Sequence, residues 1–203
     1  MKIVSIITAR GGSKGVPLKN IIDINGKPLI SFSIQASLKS NVNETWVSTD
    51  SQKISTISNK LGAKVLIRPD EISTGTSQSE EALLHFADNV DFDILVFIQP
   101  TSPFITSEYI NKGIKKMNRY DSVFTVTREH WLPRWDLNIK PIDWNLNNRP
   151  MRQQMPEIYV EAGMYYMTTR KNLLKSKLRY SGDIGVVEIP LKDSFQIDTK
   201  EDL

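Results

Sequence analysis

The chain has 203 residues, of which 39% are hydrophobic and 24% are charged, and its formal net charge is +3. This length allows one sizeable domain with its own core, and the composition is that of an ordinary globular protein. The charge is too small and too scattered for a nucleic-acid binder. The sequence has no run of about 18 apolar residues that could cross a membrane. It also has no cysteine, which excludes disulfides, so we expect a cytoplasmic protein.

Apolar runs and amphipathic runs alternate along the first two thirds of the chain. They predict strands at 3–8, 45–49, 64–67, 94–99 and 122–127, and helices at 28–39, 51–61, 77–89 and 107–118. This alternation predicts an α/β domain with a mostly parallel sheet, whose strands are buried on both faces. Ligands of such sheets bind at the carboxyl ends of the strands. The polar loops after Thr8, Thr49, Ile67 and Gln99 are therefore predicted to surround one crevice.

The pattern changes after residue 127. Segment 128–158 holds three of the four tryptophans, and it is long for a connection without structure of its own. We interpret it as an arm, within a single domain 1–203, that closes the site or docks on a second subunit. Strands are predicted again at 161–169 and 183–190. The last residues, 194–203, are predicted as a strand that turns into a short helix starting at Thr199.

The first strand is followed directly by ARGGSKGVPLKN, residues 9–20, with three glycines and three cations. Backbone N–H groups of a glycine loop after a strand can converge on an anion, so a phosphate chain is the candidate ligand. The loop is not the G-x-x-x-x-G-K-[ST] loop of NTPases, because Lys14 precedes Gly15, and it is not the dinucleotide motif G-x-G-x-x-G. The alternative is that the glycines only form turns and the cations only keep the loop solvated.

The string ARGGSKGVPLKN resembles the N-terminal signature of the CMP-sialic acid synthetase family, the cytidylyltransferases that activate nine- and eight-carbon sugar acids. Five further blocks match that family in order, namely VSTD (47–50), RPDEISTGTSQS (68–79), IQPTSPF (98–104), RQQMPEIYVEAGMYY (152–166) and IDTKEDL (197–203). Together the six blocks cover most of the chain. The resemblance implies a three-layer, nucleotide-diphospho-sugar transferase-like (Rossmann-like) fold with a protruding dimerisation arm. It also implies a homodimer that uses CTP and Mg²⁺.

The activity that this resemblance implies is transfer of CMP from CTP to the anomeric hydroxyl of an N-acylneuraminate-like sugar acid, with release of pyrophosphate. The acceptor stays open among N-acylneuraminate, pseudaminic acid, legionaminic acid, Kdn and Kdo. A CTP-binding, catalytically weak paralogue is a further alternative, motivated by Gln196 (below). A nucleotide-sugar glycosyltransferase is disfavoured, because Asp91 and Asp93 precede their strand and so lie at the wrong end of the sheet.

A reaction of this type needs positioning and charge neutralisation more than a strong base. By the resemblance, the catalytic contacts to the phosphates are Arg10, Ser13, Lys14 and Lys19. The implied nucleotide-binding residues are Ala9, Arg10, Gly11, Asn20, Arg68 and Ser79. For Arg68 the alternative is a surface salt bridge with Asp70 or Glu71.

The sugar acid carries a carboxylate, so a second cationic pocket is expected. The resemblance implies acceptor contacts at Gln99, Arg134, Arg152, Glu161 and Tyr166. Arg134 matches the family only loosely, and solvation of its side chain is the alternative. Glu161 and Gly163 in YVEAG stand closer to the animal-type and pseudaminic-type sequences than to the bacterial sialic acid enzymes.

The implied Mg²⁺ ligand is Asp198, because Mg²⁺ prefers oxygen ligands and often takes one or two carboxylates besides substrate phosphates. Many sialic acid enzymes carry D-x-D in this block, whereas this chain has Gln196, Ile197 and Asp198. The related Kdo-activating enzymes also lack the first aspartate, so one carboxylate can suffice. The alternative for Asp198 is a helix-start carboxylate beside Thr199.

Overall fold

The computed structural model describes residues 1–12 and 16–203, and its centre is a seven-stranded sheet within those ranges. The strands are β1 (Ile3–Thr8), β2 (Asp23–Ile24), β3 (Lys27–Pro28), β4 (Glu44–Thr49), β5 (Lys64–Ile67), β6 (Ile94–Ile98), β7 (Ser122–Glu129), β8 (Arg134–Trp135), β9 (Pro141–Ile142), β10 (Ile158–Thr169) and β11 (Ile184–Glu188). The helices are α1 (Ile30–Leu38), α2 (Gln52–Lys60), α3 (Ser79–Asn89), α4 (Ser107–Lys116) and α5 (Arg170–Ser176).

The strand order in the large sheet is β11-β7-β10-β6-β1-β4-β5. Neighbouring strands run parallel, except that β10 is antiparallel to both β6 and β7. The predicted α/β class with a mostly parallel sheet is therefore confirmed. From β1 the chain proceeds to β4 and β5 on one side and then crosses to β6 on the other side. The strand order thus reverses between β1 and β6, and ligands bind at such a reversal in open α/β sheets.

The core has two layers of packing, one on each face of the sheet. On one face, side chains such as Ile7, Val47 and Ile98 pack against α1, α2 and α4, while on the other face Ile6 and Phe97 pack against α3 and α5. Every residue of β6 is buried, which explains why its sequence has no polar alternation. Within residues 1–12 and 16–203, no helix has both the length and the apolar character needed to span a membrane.

The predicted helix at 28–39 begins two residues too early. Pro28 belongs to β3, which pairs with β2 around a turn whose two central residues, Asn25 and Gly26, have φ of 52° and 82°. An Asn-Gly pair in this conformation is the preferred turn of a two-residue hairpin. The helix α1 therefore starts only after the hairpin is complete, at Ile30.

The C-terminal prediction is wrong. Residues 194–203 contain neither a strand nor a helix. The N–H of Ile197 donates to the carbonyl of Thr101 at 2.9 Å, and this backbone bond attaches the segment just after the end of β6. The carboxylate of Asp202 accepts hydrogen bonds from the N–H groups of Asp198 and Thr199 and from the Thr199 hydroxyl. These bonds close residues 198–202 into turns, and no helix forms within residues 194–203.

The arm, residues 128–158, is not structureless. It contains the short hairpin of β8 and β9, and the indole of Trp144 packs edge-to-face on those of Trp131 and Trp135, with ring centroids 6.3 Å and 5.0 Å apart. Edge-to-face pairs of this kind stabilise aromatic clusters beyond their buried area. The three tryptophans therefore form an aromatic cluster within the arm.

Candidate active site

A cleft of about 480 Å³ opens at the carboxyl ends of β1 and β6, where the strand order reverses. It is lined by Thr8, Arg10, Lys19, Asn20, Arg68, Ser77, Gln78, Ser79, Gln99, Pro100, Thr101, Gln196 and Asp198. Seven of these are among the predicted site residues: Arg10, Lys19, Asn20, Arg68, Ser79, Gln99 and Asp198. Residues far apart in the chain meet here because the parallel strands end at one edge of the sheet.

The beginning of the glycine loop is fixed by hydrogen bonds to its backbone. Gly11 N–H donates to Asp50 Oδ1 at 2.7 Å, and the amide of the buried Asn20 donates to the carbonyl of Arg10 at 3.0 Å. A Cβ at position 11 would lie only 3.0 Å from Ser51 Cβ, so the loop needs a glycine there. The guanidinium of Arg10 extends into the cleft and donates to the carbonyl of Thr74. The predicted contacts Ser13 and Lys14 lie outside the described residues.

Lys19 and Asp198 form an ion pair at the rim of the cleft. The distance from Lys19 Nζ to Asp198 Oδ1 is 2.7 Å, and the Asp198 side chain is 63% exposed. Lys19 belongs to a short 3-10 helix, Lys19–Ile21, that follows the glycine loop. The Lys19 side chain is only 16% exposed, but the carboxylate of Asp198 faces solvent, where an ion pair contributes little to stability, so Asp198 can exchange partners when a charged ligand enters.

Arg68 is the most deeply buried cation of the cleft, with 6% of its surface exposed. Its Nη2 donates to the carbonyl of Ser48 at 3.3 Å, while its Nε finds no partner among residues 1–12 and 16–203. Burial lowers its pKa and outweighs the opposing charge of Asp50. The alternative salt bridge with Asp70 or Glu71 does not form between the described side chains. A buried donor without a partner favours binding of an acceptor oxygen.

The first turn of α3 brings Ser77, Gln78 and Ser79 to the cleft. Gln78 is the N-cap residue, and its N–H donates to the carboxylate of Glu81 at 2.7 Å, which completes a capping box. This box determines where the helix begins, so it also determines the position of Ser79. Hydroxyl and amide groups at a helix N-terminus can bind a polar or anionic ligand.

Gln196 stands where the resemblance implies the first aspartate of D-x-D, and its side chain amide makes three hydrogen bonds within the protein. Its Oε1 accepts a bond from the Thr101 hydroxyl at 2.5 Å, and its Nε2 donates to Ser102 Oγ at 2.6 Å and to the carbonyl of Ala162 at 2.9 Å. The amide therefore connects the end of β6, the bulge of β10 and the segment that carries Asp198. An aspartate could accept the first of these bonds but could not donate the other two.

Next to this amide, β10 shifts its register between Glu161 and Tyr166. Gly163, inside the irregularity, has φ of 66°, and a Cβ on it would lie 3.1 Å from Gln99 Oε1. The glycine therefore leaves space for Gln99 at the end of β6. This is a close backbone approach of the kind that favours glycine in a strand.

A family model described as cytidylyltransferase matches residues 4–194 of the chain. The chain belongs to the cytidylyltransferase family. The resemblance carried by the six sequence blocks is thereby confirmed.

The chain is 38% identical, over 98% of its length, to N-acylneuraminate cytidylyltransferase B of Danio rerio, of which it covers 49%. It is 37% identical, over 99% of its length, to N-acylneuraminate cytidylyltransferase of Escherichia coli, of which it covers 50%. It is also 30% identical over its whole length to pseudaminic acid cytidylyltransferase of Campylobacter jejuni, of which it covers 94%. The chain thus spans about half the length of the N-acylneuraminate relatives and nearly all of the pseudaminic one.

Two solved structures share the fold of this chain. One is CMP:2-keto-3-deoxy-manno-octonic acid synthetase complexed with CTP, with a TM-score of 0.75 and 19% identity, over 99% of this chain and 95% of that one. The other is 4-diphosphocytidyl-2C-methyl-D-erythritol synthase of Anaerococcus prevotii, with a TM-score of 0.73 and 16% identity, over 99% and 94%. At these identities the likeness concerns the fold, and it agrees with the predicted nucleotidyltransferase architecture.

Several of the predicted site residues do not line the cleft. The side chain of Ala9 is fully buried in the core, and its N–H continues the β1–β4 ladder to the carbonyl of Ser48 at 2.9 Å. Arg134 and Arg152 are exposed on the arm. Arg134 Nη2 pairs with Glu129 at 2.6 Å, and Arg152 lies beside Trp131 on the arm surface. The assignment of both arginines to the sugar acid stays a prediction.

Glu161 and Tyr166, which do not line the cleft, form a pair on β10. The Tyr166 hydroxyl donates to Glu161 Oε2 at 2.7 Å, and the tyrosine ring is buried against Phe97. Burial raises the pKa of Tyr166, and the carboxylate of Glu161 raises it further. The hydroxyl therefore stays protonated and holds the exposed Glu161, which is the member of the pair that a ligand can reach.

Acidic residues do not form a preorganised metal centre in the part of the chain that the structure describes, 1–12 and 16–203. No three side chains of His, Cys, Asp or Glu cluster there. Asp91 and Asp93 lie at the amino end of β6, where Asp93 Oδ2 accepts the N–H of Lys2 at 2.5 Å. In the cleft, Asp198 offers one exposed carboxylate, which fits a divalent cation that takes its other ligands from substrate phosphates and water.

Proposed function

We propose that this chain transfers CMP from CTP to the anomeric hydroxyl of a nine-carbon sugar acid of the N-acylneuraminate type, releasing pyrophosphate. The observation that carries the proposal is the cleft at the strand-order reversal of a cytidylyltransferase-family chain. It gathers Arg10, Lys19 and Arg68 around one cavity, with the carboxylate of Asp198 at its rim. A polyphosphate with a base attached matches this combination of exposed and buried cations.

In the proposed reaction the sugar hydroxyl attacks the α-phosphorus of CTP. The new bond joins the hydroxyl oxygen to this phosphorus, the bond to the β-phosphate oxygen breaks, pyrophosphate leaves, and the hydroxyl proton passes to solvent. Arg10 would hold phosphate oxygens and Lys19 would balance the charge of the leaving pyrophosphate. Ser13 and Lys14, which lie outside the described residues, are proposed to hold phosphate oxygens and to balance that charge, respectively. Positioning and charge compensation of this kind provide most of the catalysis in phosphoryl-group transfers.

The cytosine is proposed to bind Arg68 and Ser79, and the ribose to bind Asn20. The unpartnered, buried Nε of Arg68 supports this, since a base carbonyl would satisfy it. Ser79 lies at the first turn of α3, which borders the same cavity. Ala9 and Gly11 would act through their backbone, because Ala9 is buried and Gly11 has no side chain.

We propose a divalent cation, specifically Mg²⁺, as the cofactor, with Asp198 as its protein ligand. When bound, such an ion neutralises charge on the phosphates. Lys19 would release Asp198 for this purpose and pair with phosphate instead. The neutral Gln196 would not ligate the ion, because all of its polar groups have partners within the protein.

The acceptor site is proposed to include Gln99 and Glu161, which flank the bulge of β10. N-acylneuraminate is the first choice because the relatives with the higher identities carry that name, and pseudaminic acid is the second. Legionaminic acid, Kdn and Kdo are further outcomes of the same test. The sugar carboxylate is assigned to Arg134 and Arg152.

Because these two arginines lie on the arm and do not line the cleft of their own chain, we propose a homodimer in which the arm docks on a second copy. Exposed apolar side chains of the arm, among them Leu132, Leu137 and Leu146, support this. We propose that the dimer works in the cytoplasm. Its mass in solution at micromolar concentration tests the assembly, and a monomer would contradict it.

The reaction is tested by measuring pyrophosphate release with CTP, Mg²⁺ and a panel of the five sugar acids. Release with one acceptor is the expected result, and it names the substrate. The second candidate, a CTP-binding paralogue with weak catalysis, is favoured by the neutral Gln196. It predicts CTP binding in a titration but no release with any acceptor.

A further inference from the structure

Arg179 lies between the sheet and the start of α3, in the connection from α5 to β11. Its Nε and Nη2 donate to the two carboxylate oxygens of Glu80 at 2.6 Å and 2.9 Å. The two side chains are only 23% and 16% exposed. A two-point arginine–carboxylate pair with this degree of burial fixes geometry far better than an exposed ion pair.

Glu80 directly follows Ser79 in the first turn of α3. The guanidinium therefore holds the helix turn that brings Ser79 to the cleft. Burial by itself would raise the pKa of Glu80, but the hydrogen bonds and the charge of Arg179 lower it below its ordinary value. The carboxylate consequently stays ionised and keeps the pair intact at neutral pH.

On its other side the guanidinium stacks on aromatic rings. Its central carbon lies 5.0 Å from the ring centroid of Tyr166 and 5.6 Å from that of Phe97. The Tyr166 hydroxyl in turn donates to Glu161 at 2.7 Å. A continuous set of contacts thus leads from Ser79, at the proposed nucleotide site, through Arg179 to Glu161, at the proposed acceptor site.

Helix α3 offers a matched comparison at its other end. Arg170 Nη1 donates to the carbonyl of Val90, the C-cap residue, at 3.0 Å, and its guanidinium lies 5.3 Å from the ring centroid of Phe92. Both arginines are half-buried, and both hold one end of the same helix against an aromatic ring. Only Arg179 holds the end that borders the cleft.

We propose that Arg179 is a positioning residue that fixes Ser79 and Glu161 relative to each other, so that the nucleotide and the acceptor sugar are held in register. The proposal deepens the proposed function and rests on it. Arg179 does not line the cleft, so it acts through Glu80 and Tyr166 rather than by touching substrate.

The test compares Arg179→Lys with Arg170→Lys. Lysine keeps the charge but loses the two-point contact and the planar stacking surface. For Arg179→Lys we expect the dissociation constant of CTP, titrated without acceptor, and the KM of the acceptor at saturating CTP each to rise by about threefold or more. For Arg170→Lys we expect both constants to stay at their wild-type values, although both variants lower the melting temperature.

A third variant separates the two halves of the contact path. Tyr166→Phe removes only the hydroxyl that holds Glu161, so it should raise the acceptor KM and leave the CTP dissociation constant unchanged. If Arg179→Lys moved neither constant more than Arg170→Lys does, Arg179 would be a purely structural residue and the proposal would be wrong.

Hydrogen exchange tests the same claim without any ligand. Arg179→Lys should speed exchange of the amides in residues 77–84, and Arg170→Lys should speed it in residues 85–91. Equal exchange at 77–84 in wild type and Arg179→Lys overturns the proposal whatever the substrate is. If the exchange pattern were as expected but the wild type released no pyrophosphate, the proposed function would be contradicted. The role of Arg179 in holding the start of α3 would still be established.

Discussion

Charged side chains lie at both ends of the parallel strands, namely the end where the strands begin (the amino edge of the sheet) and the end where they finish (the carboxyl edge). The two ends differ in whether these charges have partners of opposite charge. At the amino edge, Glu44 pairs with Lys2 and Lys64 at 3.2 Å each, and Asp93 accepts the N–H of Lys2. At the carboxyl edge, Lys19 pairs with Asp198 at 2.7 Å, whereas Arg10 and Arg68 have no carboxylate within ion-pair distance in residues 1–12 and 16–203.

We infer from this difference that the charges at the amino edge stabilise the fold, whereas the cations at the carboxyl edge bind a ligand. A protein that places cations in a cleft without neutralising them loses stability, and a bound anion restores it. Substitutions at the carboxyl edge should therefore change function, whereas substitutions at the amino edge should change stability only.

The largest effect is expected from Arg10→Ala. The guanidinium is the cation that follows β1 into the cleft, and loss of one phosphate-stabilising donor lowers kcat by about 100-fold or more. The rate of pyrophosphate release measures it. Lys64→Ala, which removes a cation from the amino edge, is the matched control and should keep the wild-type rate. Wild-type activity in Arg10→Ala would refute the assignment of this residue to the phosphates.

The second effect concerns Asp198→Asn. If Asp198 is the protein ligand of the divalent cation, this variant should lose most of its activity, or require a much higher Mg²⁺ concentration for half-maximal release. Asp93→Asn is the control at the amino edge and should keep the wild-type Mg²⁺ dependence. An unchanged dependence in Asp198→Asn would assign the cation to other ligands.

The third prediction concerns Gln196→Asp, which gives this block the D-x-D that the resemblance implies. Aspartate cannot donate to Ser102 and to the carbonyl of Ala162, so the free energy of unfolding should fall by about 1–3 kcal/mol. Because the same bonds hold the segment with Asp198, activity should fall as well. Chemical denaturation and pyrophosphate release measure the two effects. A sharp rise in activity would mean that a second carboxylate is what this cleft lacks.

The smallest effect is a pH dependence at the amino edge. The indole N–H of Trp46 donates to Glu44 Oε2 at 2.7 Å and, together with Lys2 and Lys64, lowers the pKa of Glu44 from its ordinary value of 4.5, against a smaller opposing effect of burial. A lowered pKa in the folded state contributes stability above that ordinary value, and the contribution is lost as the pH falls through the folded-state pKa.

Melting temperatures of wild type and Glu44→Gln test this dependence. The difference between them should be present at pH 7 and should shrink as the pH falls below about 4. Pyrophosphate release at pH 7 should be the same for both proteins. A loss of activity in Glu44→Gln would contradict the distinction between the two edges.

The sheet could be predicted from the sequence because its signals are local. The apolar runs gave β1 and β5 with their observed ends, and β6 within one residue. The β2–β3 hairpin was missed because the Asn-Gly turn inside DINGKP is followed at once by a helix. The C-terminal residues were assigned wrongly because the T-x-x-D spacing of Thr199 and Asp202, which is typical of a helix start, closes a turn here.

The cleft could be predicted only in part. Residues such as Arg10, Lys19 and Asp198 stand in recognisable blocks, and the sheet topology brings those blocks together. The bonds of Gln196 and the pair of Glu80 with Arg179 connect residues 94 and 99 positions apart. No local pattern indicates such partners, since they follow from how β10, α3 and the last residues pack on β6.

The central claim is that the carboxyl-edge cleft is a CTP site, and titration of CTP and of UTP into the wild-type protein and Arg68→Lys tests it most directly. The two nucleotides differ only in the base. We expect the wild type to bind CTP more tightly than UTP in the presence of Mg²⁺, and we expect Arg68→Lys to lose this preference. Equal affinities of the wild type for CTP and UTP, or no binding of either, would contradict it.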